Sequence, residues 1–150
     1  MATLPEAVTI SVTIAREPRE VYAFVANPAN VPRWARGLGT SIACVDGRWV
    51  AQTPRGPVAF RFATHNEFGV LDHYVSPAPG VEIYVPMRVV AAGDGSLVSL
   101  TLFRQPDMGA ADFARDQELV RADLQVLKGV LEGGAAAHGV PVRAGTQRGA

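Results

Sequence analysis

Val8, Ile10, Val12 and Ile14 alternate with Thr9, Ser11 and Thr13, the period of two expected of a strand with one buried face. Pro18 then suits the first turn of a helix and Glu20 its dipole, with Val21, Tyr22 and Val25 on the apolar side. Asn27-Pro28 starts a second short helix, a cap followed by a first-turn proline. Trp34 lies near its end, and Gly37 and Gly39 stop it. Six further strand-like segments follow, at about 40–45, 48–53, 58–66, 69–75, 81–91 and 96–104, separated by turn residues such as Asp46-Gly47 and Gly93-Asp94.

Short loops between antiparallel neighbours allow register to be read. The expected pairs are Val45 with Arg48, Thr53 with Val58, Asn66 with Gly69, Val75 with Val81, and Ala92 with Gly95. These pairs gather Phe60, Phe62 and Thr64 with Leu71, His73 and Val75 on one face. Val81, Ile83, Val85, Met87, Val89, Val98, Leu100 and Leu102 join them. Turn guesses made separately thus yield one apolar face, as a meandering antiparallel sheet requires. The same registers predict a row Cys44, Trp49, Phe62, His73, Ile83, Arg104, with His73 and Arg104 roughly 10 Å apart across two strand spacings.

A closing helix is predicted from Ala110 to Glu132, roughly 35 Å long at normal rise. Phe113, Val120, Leu124, Leu127 and Leu131 form one stripe, and Leu119, Val126 and Val130 a second beside it. Asp116 and Asp123 project between the stripes, while Arg115, Glu118, Arg121, Gln125 and Lys128 form a solvated face. An apolar face so broad and so interrupted does not pack on a dry core along its whole length. It implies a curved sheet gripping the helix, with a cavity between them.

Composition narrows the function. The chain of 150 residues is one domain, 1–132, followed by a small, polar, frayed tail, 133–150. With 14 basic and 14 acidic residues, formal charge is zero and no basic stripe points to nucleic acid. No apolar run is long enough for an integral membrane segment, and the N-terminus does not read as a signal peptide. Cys44 is alone, which together with these absences points to a cytoplasmic location. No metal cluster, phosphate loop or nucleophile elbow occurs, so no metal and no cofactor are expected.

The order of elements, VYAFVANPANVPRW, the DHYV and VPMRVV strands and the final DLQVLKGVLE helix resemble the SRPBCC/START-like superfamily, which includes polyketide cyclase/dehydratase-like proteins. The resemblance runs from about Val8 to Glu132. It implies an α+β helix-grip fold: a seven-stranded antiparallel sheet around a long C-terminal helix, with two short helices between strands 1 and 2. A hydrophobic cavity would be entered near those short helices. The superfamily holds carriers, cyclases, dehydratases and chaperone activators, so the resemblance specifies fold better than function.

Candidate site residues follow from the predicted inner face. His73 is the acid/base candidate, since imidazole titrates near neutrality, or else a cavity histidine bonded to backbone. Arg104 would anchor a carboxylate or enolate, or simply reach solvent. Asp116 and Asp123 would position a ligand hydroxyl, or pair with arginine or cap a backbone group. Trp34, Trp49, Phe60, Phe62, Ile83, Met87 and Val120 would line the cavity or serve as core filler. Asp72 is expected to face outward beside Arg61 or Arg88. The leading expectation is a binder of a small hydrophobic molecule: an aromatic polyketide, lipid or acyl compound. The alternatives are a cyclase/dehydratase-like enzyme using His73, and a chaperone-activator type of interaction module. A homodimer through the outer sheet face or the closing helix is compatible with the pattern.

Overall fold

Proline at position 86 decides the architecture. It has no N–H to give a ladder, and the predicted strand 81–91 breaks there into β6 (Val81–Val85) and β7 (Met87–Ala92). In the computed structural model, which describes residues 3–38 and 41–133, the remaining elements are β1 (Ala7–Ile14), α1 (Pro18–Ala26), α2 (Val31–Trp34), β2 (Ser41–Val45), β3 (Arg48–Thr53), β4 (Gly56–Phe62), β5 (His73–Ala78), β8 (Gly95–Phe103) and α3 (Ala110–Gly133). The single seven-stranded sheet expected from the pattern is therefore eight strands in two antiparallel sheets, ordered β1-β8-β7 and β2-β3-β4-β5-β6. With short helices early and a long C-terminal helix, the fold is the α+β helix grip.

The two sheets are stitched by residues 69–72, which the pattern had placed inside one strand. The Leu71 amide donates to the Met87 carbonyl and the Val89 amide to the Gly69 carbonyl, at 2.8 and 2.9 Å. The Ala63 amide donates to the Asp72 carbonyl at 2.7 Å, on the β4 side. Asp72, only 9% exposed, accepts from the Met87 amide (2.9 Å), the Tyr84 hydroxyl (2.8 Å) and Arg88 (3.0 Å). The expected pairing with Arg88 is present, whereas Arg61 pairs with Glu82. Gly69 has φ +72°, and a Cβ there would run into the Val89 carbonyl, so only glycine fits. Asn66 closes the preceding turn, its Oδ1 accepting from the Phe68 and Val70 amides.

Val45 opposite Arg48 and Ala92 opposite Gly95 are as expected. Phe62 opposite His73 continues the register expected from Asn66 and Gly69, but the ladder stops before those residues. Two registers are corrected by two residues: Ala51, not Thr53, faces Val58, and Val75 faces Ile83, with an irregularity before Ala78 meets Val81. A tighter Thr53–Gly56 turn and the irregularity between Val75 and Ala78 account for the shifts. An even shift leaves side chains on their predicted face, except beyond the irregularity where Ala78 meets Val81, but it changes the row. Cys44, Trp49, Phe60, Val75 and Ile83 are in line, and His73 sits between Phe62 and Val85. The row does not reach Arg104, because β8 pairs with β1 and β7 and not with β6. Thr64 and Val81, expected inside, are exposed.

Ile10, Val12, Ile14, Met87, Val89, Val98 and Leu100 are all buried, so most of the inner face of the three-stranded sheet is covered, with Val8 and Leu102, paired at its end, half-buried. Val21 and Val25 of α1 and Leu124, Leu127 and Leu131 of α3 belong to the same core. The C-terminal part of α3 is also pinned to β1. Glu132 accepts from the Ala15 amide and from Lys128, both at 2.8 Å, while Lys128 donates to the Thr13 carbonyl at 2.7 Å. The expected tail lies, beyond Gly133, outside the described residues.

Asp72→Ala leaves the Met87 amide and the Tyr84 hydroxyl without their acceptor. It should cost about 2–4 kcal/mol in urea unfolding, most of it from the buried amide since Arg88 is half exposed. Gly69→Ala should cost a similar amount. A loss under about 0.5 kcal/mol in either variant would mean that the seam is not what holds the sheets together.

Candidate functional site

The five-stranded sheet is covered less well than its partner. Of its inner-face residues, Ala51, Phe60, His73 and Val85 are buried. Ile42, Trp49, Val58, Phe62, Val75 and Ile83 are only half-buried, and Cys44 is exposed. Opposite, α3 packs on β1 and α2. Between Phe113 and Leu124 it buries no residue: Asp116, Val120 and Asp123 are half-buried and Leu119 is exposed. Phe113 is itself buried outside the continuous core. The half-exposure of both faces implies an open cleft, with apolar walls from β2–β6 on one side and the N-terminal part of α3 on the other. An enclosed cavity had been expected; α3, anchored by its C-terminal part, does not seal one.

Of the expected lining residues, Trp49, Phe62, Ile83 and Val120 are half-buried on the cleft walls, whereas Trp34, Phe60 and Met87 are buried in the core. His73 is buried, and its ring packs edge-on against Phe62 at 5.3 Å. Its Nδ1 donates to the Leu71 carbonyl at 3.1 Å. Burial lowers its pKa below the usual value, against the opposing pulls of that bond and of Asp72. The neutral ring with Nδ1–H therefore prevails, and Nε2 carries a lone pair with no protein partner among the described residues.

Arg104 does not stand beside His73. Its Nε donates to the Met108 carbonyl (3.0 Å) and it pairs with Glu6 at 3.2 Å, so it ties the end of β8 to the N-terminal segment. On α3, burial followed by repulsion from Asp112 raises the Asp116 pKa. Asp123 accepts from the Arg36 amide at 3.3 Å, with a further backbone bond from Gly37, and caps the turn after α2. Burial nevertheless pushes its pKa up to about 6. Trp34, 4% exposed at the end of α2, has an indole N–H with no partner among the described residues. Nothing in the sequence marks that orphan donor; it depends on where α2 is buried.

A second concavity lies on the opposite face of the same sheet. A groove of about 910 Å³ is floored by Val45, Val50, Pro57 and Ala59 and walled by residues 76–82, with Arg48 and Arg55 at its rim. It is broad and open to solvent. Among the described residues, no group of three or more His, Cys, Asp and Glu could hold a metal, and no helix is long and apolar enough to cross a membrane.

The sequence matches the model of the family described as polyketide cyclase / dehydrase and lipid transport over residues 5–136. The chain belongs to that family. Solved structures agree on the fold. XoxI from Bacillus cereus is 16% identical with a TM-score of 0.69, the match covering 88% of this chain and 99% of that one. Ara h 8.0201 is 13% identical with a TM-score of 0.64, over 86% and 99%. DynU16, a protein of the dynemicin biosynthetic locus, is 16% identical with a TM-score of 0.67; the match covers 85% of this chain but 48% of that one. At such identities the likeness is one of fold alone. No curated protein matches the sequence.

The Asp123 pKa gives a pH dependence of known sign. An acid raised from 3.8 to about 6 on folding binds its proton more tightly in the native state. Its stabilising effect is complete below 3.8 and is lost as pH rises to about 6. Asp123→Asn should therefore be more stable than the parent at pH 7.5, by at most about 1 kcal/mol after solvent screening. The difference should vanish at pH 4 in urea melts run at both values. A variant less stable at pH 7.5 than at pH 4, relative to the parent, would show that the bonds to Arg36 and Gly37 outweigh burial.

Proposed function

We propose that the protein binds a small hydrophobic molecule in the cleft between the inner face of the five-stranded sheet and α3. One observation carries the reading: six apolar inner-face residues, Ile42, Trp49, Val58, Phe62, Val75 and Ile83, stay half-buried, whereas on the three-stranded sheet the large apolar residues of the inner face are buried except Val8 and Leu102 at one end. Apolar walls left half-open gain free energy when a ligand covers them, at about 25 cal/mol per Å². A few polar groups in such walls fix orientation. Family membership supports the same class of ligand, since its members are described by polyketide cyclisation and dehydration and by lipid transport. A cytoplasmic location and a single domain of 1–132 fit this reading.

A second reading, an enzyme of cyclase or dehydratase type, is favoured by one feature. The neutral His73 with an unpartnered Nε2 is a base that need not first lose a proton. With Arg104 held by Glu6 and Met108, the enolate would have to be met by other groups. His73→Gln should then abolish turnover of a poly-β-keto substrate while leaving binding within about threefold; full turnover in that variant removes the mechanism. The interaction-module reading would instead use the outer groove, where the exposed Val45 and Val81 lie, while the exposed Phe68, Val90 and Leu119 sit on other elements.

N-phenyl-1-naphthylamine, an uncharged probe that fluoresces in apolar surroundings, tests the cleft. The parent should enhance its emission, and Val120→Glu, which puts a charge on the cleft wall without touching the buried leucines of α3, should weaken binding at least about tenfold. Val50→Glu, in the outer groove, should leave it unchanged. The reverse pattern would move the site to the outer face.

A further inference from the structure

The two sheets have four edge strands, β1, β7, β2 and β6, and three of these edges are guarded against a further strand. β1 lies against α3, with Lys128 on its Thr13 carbonyl. The far side of β7 is bonded by residues 69–71. β6 carries Glu82, paired with Arg61, and ends at Pro86. β2 has no such protection. Ser41, Ala43, Cys44 and Val45 are exposed and Ile42 is half-buried, and the five residues include no charge and no proline. Among the described residues no backbone bond reaches its outer side.

The Asp46-Gly47 turn determines which groups point outward. Both residues have positive φ, 52° and 77°, as a type I′ turn requires. The flanking pair of such a turn, here Val45 and Arg48, is hydrogen-bonded. Bonded and non-bonded pairs alternate along an antiparallel ladder. Ser41, Ala43 and Val45 therefore bond to β3, and the N–H and C=O of Ile42 and Cys44 face outward. These four groups are arranged symmetrically about Ala43.

We infer that a second copy of this chain pairs antiparallel with β2, the two-fold axis passing at Ala43. Ile42 then exchanges both its hydrogen bonds with the partner's Cys44, and Cys44 does so with the partner's Ile42. Every outward group of both strands is satisfied. Ala43 faces the partner's Ala43 as a non-hydrogen-bonded pair, about 4.5 Å apart between Cα atoms. With no charged residue in β2, no like charges meet in the ladder. The five strands of each copy join in one sheet, and the cleft walls, which carry Ile42 and Cys44, run on into each other. The pairing goes beyond the ligand reading and does not depend on it.

A five-residue strand offers less contact than the ~1,200 Å² at the low end of stable interfaces, so the dimer should form at micromolar concentration. Sedimentation velocity of the full chain from about 5 to about 500 µM should show monomer giving way to dimer. Ala43→Lys, at an exposed position, sets like charges opposite each other on the axis and should weaken the dimer at least about fivefold. Mixing it with Ala43→Glu should restore association. Ala43→Cys in a Cys44→Ser background, treated with diamide, should give a disulfide-linked dimer. Cys44 of the parent, diagonal to the partner's Cys44 at about 7–8 Å, should not cross-link. A chain that stays monomeric throughout overturns the inference and leaves the edge to a strand of another protein. A dimer that Ala43→Lys leaves intact, or that cross-links through Cys44 instead, overturns it as well.

Discussion

The carboxylate of Asp72 is the point on which both sheets turn. It lies at the seam where residues 69–72 bond to β7, and it accepts the first amide of β7 immediately after Pro86 interrupts the chain. A proline removes one donor from a ladder. Here the following amide finds its acceptor in a side chain rather than in the next strand, and the sheet can divide without a buried orphan. The alternation of side chains then fixes the neighbour. With Asp72 turned toward Tyr84 and Arg88, His73 must turn inward, toward Phe62 and the opposite wall.

Division of the sheet and the attachment of α3 act together to open the cleft. The helix is held at one end by Leu124, Leu127 and Leu131, each contributing roughly 1.5–3 kcal/mol by burial, and by the Glu132 and Lys128 bonds to β1. Burial alone would raise the Glu132 pKa, but the bonds from Lys128 and the Ala15 amide together hold it below its usual range. Toward the other end, Asp116 and Asp123 oppose close packing because desolvating them is unfavourable, as their raised pKa values record. The same two residues that keep the helix from closing on the sheet give the cleft its acidic side.

Most of the fold was legible because it depends on local chemistry. Strand periodicity, turn residues and the stripe on α3 each report on a few neighbouring positions, and two registers misread by two residues still kept most faces correct, Val81 beyond the irregularity in β5 being an exception. What was not legible depends on distant partners. Pro86 was visible, yet its effect on the sheet depends on an acceptor 14 positions earlier, which alternation does not reveal. Arg104 was read as a ligand anchor because it follows an inward-facing pattern. Its partner, Glu6, sits 98 residues away and leaves no mark near it in the chain. Asp123 shows the intermediate case: a role in capping backbone was among its readings, but which amides it caps follows only from where α2 ends against α3.

Family membership places both carriers and enzymes within reach, and the fold does not choose between them. The choice lies in proton supply. Dehydration needs a base and an acid acting on one substrate, and His73 in its neutral form is a base or an acceptor but not an acid. Asp123, at about 6, is the cleft carboxyl whose proton is most available near neutrality. Its oxygens, however, already accept from the backbone of Arg36 and Gly37, and those bonds favour the ionised form. Its interaction is with the turn after α2 rather than with a ligand. Asp116, also raised by burial and with no backbone bond among the described residues, is the cleft carboxyl that a dehydration mechanism would have to use as its acid opposite His73.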